Sequence, residues 1–266
     1  MIDWTRSGAV YELALAQPPA NEIGLHVLEA LERFVAEVEA SDARAVIVHS
    51  TLTKGFCAGA DLRGLHAAIR GRAPDAYLGE VRTFIDRIHA VFDRLDALPQ
   101  TTIGALHGVC LGGGFELALL CDVLIADRTT RFGFPELRLG LVPGFGGIPR
   151  LRRETPNAVV RDLLLSGRTL GAKRAHELGL VSHLVAPGEA LAAARALAQQ
   201  TCLFDARVAA RAKAFAKPIP REELRAEKEL FLELFAGPRV QAALAEFASR
   251  TDAMPYLPAQ PGQEGG

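Results

Sequence analysis

The hydrophobic positions of the first fifty residues change their spacing twice, and each spacing predicts a different element. Residues 9–16 alternate apolar and polar side chains, which predicts a strand that Pro18-Pro19 ends. Residues 25–40 carry apolar side chains on one helical face and charged ones on the other, the pattern of an amphipathic surface helix. Residues 44–50 form a short β-branched run typical of a buried strand. The chain therefore begins by alternating strands with helices.

The rest of the chain continues this alternation. In order, we predict a mobile loop at 66–76, a helix at 77–98, strands at 101–110 and 121–126, a helix opened by 144–147, helices at 159–165 and 172–178, a strand at 180–185 and a helix at 189–199. From about residue 205 the pattern is helical, with turns near Lys217-Pro218 and Gly237-Pro238, and residues 255–266 are Pro/Gly-rich and expected to fray. The spacing is irregular, so we predict an α/β core with a helical C-terminal extension, not a solenoid.

A glycine-rich stretch, Leu111-Gly112-Gly113-Gly114-Phe115-Glu116, separates one predicted strand from an apolar, helix-like run. Glycines allow a sharp turn and a close approach of backbone to ligand. The free N–H groups at such a helix start suit an oxygen that becomes negative during a reaction. A tight structural turn is the alternative interpretation. Glu116, a carboxyl group among apolar residues, favours a functional site, and the small residues of 55–62 repeat the same strand-turn-helix pattern.

Composition and charge narrow the class of protein. The 266 residues are 49% hydrophobic and 23% charged, enough to bury a large core. The 30 basic residues are balanced by 31 acidic ones, so bulk charge favours neither nucleic acid nor an anionic membrane as a partner. The four cysteines are widely separated, so we expect reduced thiols and no metal site. The first residues lack the pattern of a secretory signal, and we expect a cytoplasmic location.

Several motifs together resemble the crotonase superfamily of enoyl-CoA hydratases and isomerases, over roughly residues 9–250. They are Phe56-Cys57-Ala58-Gly59-Ala60-Asp61-Leu62, Leu111 to Glu116, Cys121-Asp122, Phe132-Gly133-Phe134-Pro135-Glu136, Gly140, Pro143-Gly144, Gly146-Gly147, Leu165-Ser166-Gly167-Arg168 and Gly179-Leu180-Val181. Each motif alone is weak, but their order and spacing are specific.

The resemblance implies an α/β fold built as a spiral of repeated ββα units. It implies a core at residues 1–200 that binds acyl-CoA, a helical oligomerisation region at 201–254 and a flexible tail at 255–266. Self-association as a homotrimer or a hexamer is expected. No cofactor is implied, because coenzyme A is part of the substrate.

The resemblance also assigns the chemistry. The backbone N–H groups of Ala60 and Gly113 would stabilise an enolate oxygen, and losing one such donor typically costs about 3 kcal/mol of transition-state stabilisation. Glu116 and Glu136 match the two catalytic glutamates of the hydratases. Two carboxyl groups can orient one water and deliver one proton, so we assign Glu116 to the water and Glu136 to Cα. Solvated surface glutamates are the alternative, against which their apolar and glycine-rich surroundings argue.

Other residues would bind the substrate by resemblance. Ala20, Ala58, Asp61, Leu62 and Arg63 lie at positions that contact coenzyme A, although Arg63 is equally compatible with a solvated helix start. Phe235 and Arg250 match positions from which a neighbouring subunit closes over the coenzyme. Here the sequence departs from the family, because Gly237-Pro238 and Arg250-Thr251-Asp252 replace its usual acidic pair and basic cluster. The acyl pocket is predicted at Phe134, Leu141 and Phe145.

Three functions remain open from the sequence. A 2-enoyl-CoA hydratase is the leading one, a double-bond isomerase or other acyl-CoA enzyme of the fold is the second, and a non-enzymatic acyl-CoA-binding or RNA-binding protein is the third. Both glutamates are retained, which argues against the third. His49, His107 and Ser166 carry groups that can take part in catalysis, but we expect a structural role for each.

Overall fold

A computed structural model describes residues 2–250 of the chain. The strands of this part are β1 (Ile2–Ser7), β2 (Val10–Leu15), β3 (Ala45–Ser50), β4 (Gly55–Cys57), β5 (Thr101–Leu106), β6 (Val109–Leu111), β7 (Val123–Asp127), β8 (Arg131–Gly133), β9 (Leu170–Gly171) and β10 (His183–Val185). The predicted tail at 255–266, together with Thr251 and Asp252, lies outside the described residues.

The helices connect and cover these strands. They are α1 (Leu25–Glu39), α2 (Leu62–Ile69), α3 (Leu78–Asp96), α4 (Gly113–Ala118), α5 (Gly147–Glu154), α6 (Asn157–Ser166), α7 (Ala172–Glu177), α8 (Ala190–Thr201), α9 (Ala206–Ala216), α10 (Arg221–Phe235) and α11 (Pro238–Ser249), with 3-10 turns at Pro74–Ala76 and Glu136–Leu139. The predicted succession of strands and helices is confirmed. β1, β4, β8 and β9 are not among the predicted strands, because they are short or have no clear alternation.

The strands form two sheets that the chain visits in turn. A six-stranded sheet has the order β1-β2-β3-β5-β7-β10, and a four-stranded sheet has the order β4-β6-β8-β9. β3, β5 and β7 are parallel neighbours in the large sheet, and each is followed directly by β4, β6 or β8, which are parallel neighbours in the small one. A helix or a 3-10 turn follows each pair. The chain is therefore a spiral of ββα units, as predicted.

The strand β3 shows why its sequence is apolar without interruption. Val46 and Val48 belong to the main core, whereas Ala45 and Ile47 face a second apolar cluster. In that second cluster the side chains of Ala190, Ala194 and Ala198 on α8 pack against the sheet. Because both faces of the large sheet are covered, its central strands have no polar face.

The single strand predicted at 101–110 is wrong. Residues 101–106 belong to the large sheet and 109–111 to the small one, and the chain bends between them at His107-Gly108. Gly108 has φ +54°, a conformation that glycine adopts at little cost. A Cβ at this position would lie 2.8 Å from the Gly55 Cα. The tight crossing of two neighbouring segments therefore requires glycine here, and a pattern of apolar residues cannot reveal it.

The loop predicted at 66–76 is also corrected. Helix α2 continues to Ile69, whose side chain is buried, and a 3-10 turn occupies Pro74–Ala76. The carboxylate of Asp61 starts this helix by accepting a hydrogen bond of 2.8 Å from the Gly64 N–H. Gly71 and Pro74 indicate the end of a helix, and the loop predicted from them begins before the helix ends at Ile69.

The C-terminal helices do not form a separate layer. α10 and α11 bury apolar side chains in the main core, among them Phe231, Phe235 and Leu244. Of the helices α9, α10 and α11, only α9 has no buried residue. Residues 221–249 therefore complete the core of their own chain. Among the described helices, none is long and apolar enough to cross a bilayer.

A buried ionic cluster fastens α9 and α5 to the end of α3. The Asp96 carboxylate is fully buried and lies 2.9 Å from Arg150 Nε, 3.1 Å from Arg153 Nη1 and 2.9 Å from Lys217 Nζ. Burial alone would raise the pKa of Asp96, but Lys217, Arg150 and Arg153 together outweigh it and lower the pKa to about 2.

Replacing Asp96 with Asn is expected to reduce the free energy of unfolding by about 3 kcal/mol, because three cations lose their shared buried counter-charge. The contribution of the native carboxylate is present above about pH 4 and is lost as the pH falls towards 2. Urea unfolding at pH 7 measures the difference. The control is Asp86→Asn, which breaks an exposed ion pair with Lys228 and should change stability by less than about 1 kcal/mol. Equal effects of the two variants would contradict the assignment.

Self-association remains a prediction, and α9 is the surface that we expect to carry it. Leu203, Phe204, Val208 and Phe215 are exposed on or just before this helix, with Phe215 91% exposed. Apolar side chains grouped in this way mark protein contacts. We expect light scattering to give a trimer or a hexamer at micromolar concentration, and Phe215→Glu to lower the measured mass. Lys173→Glu, an exposed change elsewhere, should leave the mass unchanged. A monomeric wild type would refute the prediction.

Candidate active site

Three functional segments lie at one edge of the small sheet. Residues 58–61 follow β4, residues 112–116 follow β6 and residues 134–136 follow β8. These strands are parallel neighbours, so their carboxyl ends meet at the same edge, where ligands bind in α/β folds. The fold thus explains why three segments that are far apart in the sequence come together.

The three segments line a cavity of about 620 Å³. Of the predicted site residues, the cavity walls include Ala58, Ala60, Asp61, Leu62, Gly113, Glu116, Glu136, Leu141, Phe145 and Phe235. The walls away from the two glutamates are mainly apolar and come from α2, α3 and α10, with Ile69, Val81, Phe84 and Phe231 as examples. Predicted residues that do not line it are Ala20, Arg63, Phe134 and Arg250.

The backbone N–H groups of Ala60 and Gly113 lie close together at this cavity. A Cβ built on Gly113 would be 3.4 Å from the Ala60 nitrogen, and one on Gly59 would be 3.4 Å from the Gly113 nitrogen. Neither N–H donates a hydrogen bond to another residue within the part of the chain that is described. Gly113 is the first residue of α4, where an N–H has no acceptor inside the helix. Two unpaired donors are therefore available to one ligand oxygen.

Glu116 is buried and is held by the backbone of a facing turn. Its Oε1 atom accepts hydrogen bonds of 2.8 Å from the N–H groups of Phe145 and Gly147. Burial raises the pKa of Glu116 to about 7, although the two N–H groups and the Arg150 charge lower it in part. Both donors bind the same oxygen, so Oε2 is left for a ligand. A carboxyl group with a pKa near 7 can act as a base or an acid at neutral pH.

Glu136 lies beside Glu116 in the same cavity but has a different environment. The residue as a whole is half-buried, yet its Oε2 atom is covered and has no hydrogen-bond partner among the described residues. Burial, together with the negative charge of Glu116, raises the pKa of Glu136 well above its ordinary value. Gly112 makes room for this carboxyl group, because a Cβ there would lie 2.7 Å from Glu136 Oε1. Burial and the charge of Glu116 both favour the protonated form of Glu136.

Core side chains bind the turn of residues 144–148, whose N–H groups bind Glu116. His89 Nε2 donates to the Gly144 carbonyl at 2.8 Å, and Arg150 Nη1 donates to the Phe145 carbonyl at 3.0 Å. Arg150 is completely buried and paired with Asp96. A Cβ on Gly146 would collide with the Arg150 guanidinium, so glycine is required where the turn passes this side chain.

The prediction that Phe134 lines the acyl pocket is wrong. Its ring is 1% exposed and stacks on Phe115 with a centroid distance of 4.8 Å, in the core behind the cavity. A Cβ on Gly147 would be 2.9 Å from both Phe134 Cε1 and Glu116 Cγ. Phe134 therefore packs behind the glutamate and keeps water from its buried side, and it does not contact the ligand space.

Phe235 also differs from its prediction. It was expected to close over the coenzyme of a neighbouring subunit, but its ring is fully buried and lines the cavity of its own chain. It stacks on Phe231 at 5.7 Å and meets Tyr77 edge-on at 6.3 Å. The turn at Gly237-Pro238 lets α10 and α11 fold back on their own core. The aromatic cluster forms one wall of the cavity.

Of the predicted coenzyme contacts, Ala20, Arg63 and Arg250 do not line the cavity. Ala20 and Ala58 are buried in a small cluster under Phe247, and the Ala20 carbonyl accepts a hydrogen bond of 2.9 Å from the Ala58 N–H. Arg63 stands 5.2 Å from the Phe247 ring, and its Nη2 donates to the Arg250 carbonyl at 3.2 Å. Arg63 is thus tied to the end of α11 and is not a simple solvated arginine.

The three residues for which we expect a structural role do not line the cavity. His107 Nε2 lies 2.8 Å from the Leu52 carbonyl, His49 is buried at the end of β3, and the Ser166 hydroxyl donates to Asp162 O. The four cysteines are free thiols, and three of them are buried. Over residues 2–250, no group of three or more His, Cys, Asp or Glu side chains could hold a metal ion.

One further carboxyl group near the site was missed from the sequence. Glu227 is 5% exposed on the inner face of α10, and its Oε2 atom accepts a hydrogen bond of 2.7 Å from the Ile148 N–H. A signal was present, because Glu227 stands three residues after Leu224 and four before Phe231, on the apolar stripe of the helix.

The chain folds as a spiral of ββα units. The turns of this spiral bring two unpaired N–H groups and two carboxyl groups to one apolar cavity, and these features together define a crotonase-type enzyme. The sequence model of the family described as "Enoyl-CoA hydratase/isomerase" matches residues 5–254. The chain belongs to this family, whose members act on acyl-CoA substrates.

Relatives support the family assignment over most of the chain. The probable enoyl-CoA hydratase of Mycobacterium bovis is 34% identical over 244 residues, which cover 90% of this chain and 91% of that protein. The carnitinyl-CoA dehydratase of Salmonella arizonae is 38% identical over 197 residues, 74% of this chain and 72% of that protein. A crystal structure of an enoyl-CoA hydratase from Bacillus anthracis has a TM-score of 0.75 at 28% identity, with 88% of this chain and 90% of that chain covered.

Proposed function

We propose that this protein is a 2-enoyl-CoA hydratase, which adds water across the 2,3 double bond of an acyl thioester. The observation that carries the proposal is the pair of unlike carboxyl groups, Glu116 and Glu136, in one apolar cavity beside two unpaired backbone N–H groups. Their environments differ, because Glu116 accepts two backbone hydrogen bonds whereas Glu136 Oε2 has no partner among the described residues. Unlike environments are how one site can contain a base and an acid at the same pH.

In the proposed reaction Glu116 takes a proton from water as the water oxygen bonds to C3. The electrons of the double bond move towards the thioester, and its oxygen becomes an enolate that the N–H groups of Ala60 and Gly113 stabilise. Glu136 then gives its proton to C2. Glu116 has gained one proton and Glu136 has lost one, so exchange with solvent restores both. With a pKa of about 7, Glu116 can accept a proton near neutral pH, and the raised pKa of Glu136 favours the protonated form that donates.

The coenzyme part of the substrate is proposed to lie along the cavity rim formed by Ala58, Asp61 and Leu62. Ala20 and Arg63 are placed just behind this rim. Arg63 would supply positive charge towards the phosphates, and its contact with Phe247 supports a fixed position at the rim. Coenzyme A enters as part of the substrate, so no separate cofactor is proposed.

The acyl group is proposed to be uncharged. The relatives include a carnitinyl-CoA dehydratase, whose name points to a different acyl group. Here most of the wall beyond the glutamates is apolar, with side chains such as Val81, Phe84 and Phe231. The charged side chains there, Glu80 and Arg87, are paired with Arg72 and Glu32. An apolar wall stabilises an alkenyl chain but offers a charged group no compensation for lost water. A double-bond isomerase remains the second candidate, since one carboxyl group near the N–H pair would be enough for it.

Replacing Glu116 or Glu136 with Gln keeps the shape and removes the acid-base function, so each change should slow hydration by about 10²-fold or more. The double variant should lose far less than the product of the two single effects, because the pair acts as a unit. Glu39→Gln, an exposed change on α1, is the matched control. The assay is loss of the conjugated thioester absorbance in ¹⁸O-labelled water. Isomerisation of a 3-enoyl-CoA that survives Glu116→Gln, with no label incorporated by the wild type, would refute the hydratase proposal.

The pH profile of kcat/KM should rise through about pH 7 and fall only at clearly higher pH. Glu116 must lose its proton to act as the base, and burial raises its pKa to about 7. Glu136 must keep its proton, and its pKa lies well above the ordinary value. The carboxyl of Glu227 and the Arg150 charge also act on this pair. The rise and the fall of the pH profile therefore report the coupled site and not single residues.

In the same experiment Glu136→Gln should abolish the falling limb while the rising limb remains. A wild-type profile that stays flat from pH 5 to pH 8 would contradict the assignment of Glu116 as the base.

A further inference from the structure

Glu227 is a buried carboxyl group that the proposed chemistry does not use. It lies on α10 in the apolar stripe between Leu224 and Phe231, and it is not part of the cavity wall. Burying a carboxyl group is unfavourable unless it is hydrogen-bonded, and an apolar side chain would fit this stripe without that penalty. The position therefore calls for a reason beyond packing.

The contacts of Glu227 supply that reason. Its Oε2 atom accepts a hydrogen bond from the Ile148 N–H at 2.7 Å, and its Oε1 atom is covered without a partner among the described residues. The Gly147 N–H, one residue earlier, donates to Glu116. Two adjacent N–H groups of one turn thus point to two different carboxyl groups. The turn lies between Glu116 and Glu227 and connects them.

We propose that Glu227 is a positioning residue for the catalytic carboxyl group: by holding the Ile148 N–H it fixes the turn of residues 144–148, whose Phe145 and Gly147 N–H groups orient Glu116. The expected effect on the reaction rate rests on the proposed hydration. The expected effect on the turn does not, because Glu227 contacts the turn in the free protein.

The other contacts of the turn show what Glu227 adds. His89 and Arg150 hold the carbonyl oxygens of Gly144 and Phe145, which fixes the entry to the turn. The end of the turn, where α5 begins, is held by Glu227 through Ile148. Without this contact the Gly147 N–H is free to move away from Glu116, and a misplacement of about 1 Å in such a site can reduce the rate by about 10²-fold.

Electrostatics agrees with a neutral hydrogen-bond acceptor. Burial, followed by the negative charge of Glu116, raises the pKa of Glu227 well above its ordinary value, while the Ile148 N–H, the Gly146 backbone and the Arg150 charge lower it in part. A neutral carboxyl group still accepts a hydrogen bond and adds no second negative charge behind the base. Glutamine has the same shape and the same acceptor, so it should replace the acid.

The test compares Glu227→Leu, which removes the acceptor but keeps the volume, with Glu227→Gln, which keeps both. We expect Glu227→Leu to lower kcat for hydration of a 2-enoyl-CoA about tenfold or more with KM within about twofold. It should also speed amide hydrogen exchange in the segment 145–148 of the free protein. Glu227→Gln should recover most of the loss in kcat and the slow exchange, a rescue that a requirement for charge would not permit.

Two controls separate positioning from stability. Glu229→Leu changes an exposed carboxyl group on the same helix and should match the wild type. Leu232→Ala removes buried volume from α10 outside the cavity wall and should lower Tm without lowering kcat. If Glu227→Leu does not fold, Glu227→Asp withdraws the carboxyl group by one methylene and should show the same loss of kcat and the same faster exchange.

Wild-type kcat and wild-type exchange in Glu227→Leu would overturn the inference. It would also be overturned if Leu232→Ala, at an equal loss of Tm, lost kcat to the same extent. If the wild type does not hydrate 2-enoyl-CoAs, the proposed function fails, but the exchange of segment 145–148 still decides whether Glu227 holds the turn.

Discussion

The two hydrogen bonds from Phe145 and Gly147 to Glu116 are the interaction on which the site depends. A carboxyl group that is removed from water needs donors, and two N–H groups on one oxygen satisfy it without ion-pairing it permanently. An arginine in direct contact would keep its pKa low and remove its use as a base near neutral pH. Arg150 instead lies behind the turn and bonds to its carbonyl groups.

Close packing around the two carboxyl groups explains the glycines at both sides of the cavity. A Cβ at Gly112 would lie 2.7 Å from Glu136 Oε1, one at Gly113 would lie 2.8 Å from the Phe145 ring, and one at Gly147 would lie 2.9 Å from Glu116 Cγ. Gly112 has φ +50°, which places the start of α4 at the end of β6 with its N–H groups towards the cavity. The parallel small sheet then brings this turn beside the turn that contains Ala60.

The sequence predicts the features that a single segment determines, and it does not predict those that depend on contacts between distant segments. The helices α1 and α9–α11, the turn before Glu116 and the glutamate pair all follow from local pattern and motif. The bend at Gly108 follows from a crossing with Gly55, which is distant in the sequence. The places of Phe134, behind Glu116, and of Phe235, in the wall of its own chain, likewise depend on tertiary packing, and a motif position cannot distinguish a ring that lines a pocket from one that supports it.

The C-terminal helices therefore take part in the site of their own chain. α10 contributes Phe231 and Phe235 to the cavity wall, and the Glu227 carboxyl binds the turn whose N–H groups bind Glu116. Lys217, just after α9, is bound to Asp96, the partner of Arg150. One chain of contacts thus runs from the end of α9 through the ionic cluster to the turn of residues 144–148. Because α10 contacts the same turn through Glu227, the packing of α9 and α10 bears on both the shape of the cavity wall and the orientation of Glu116.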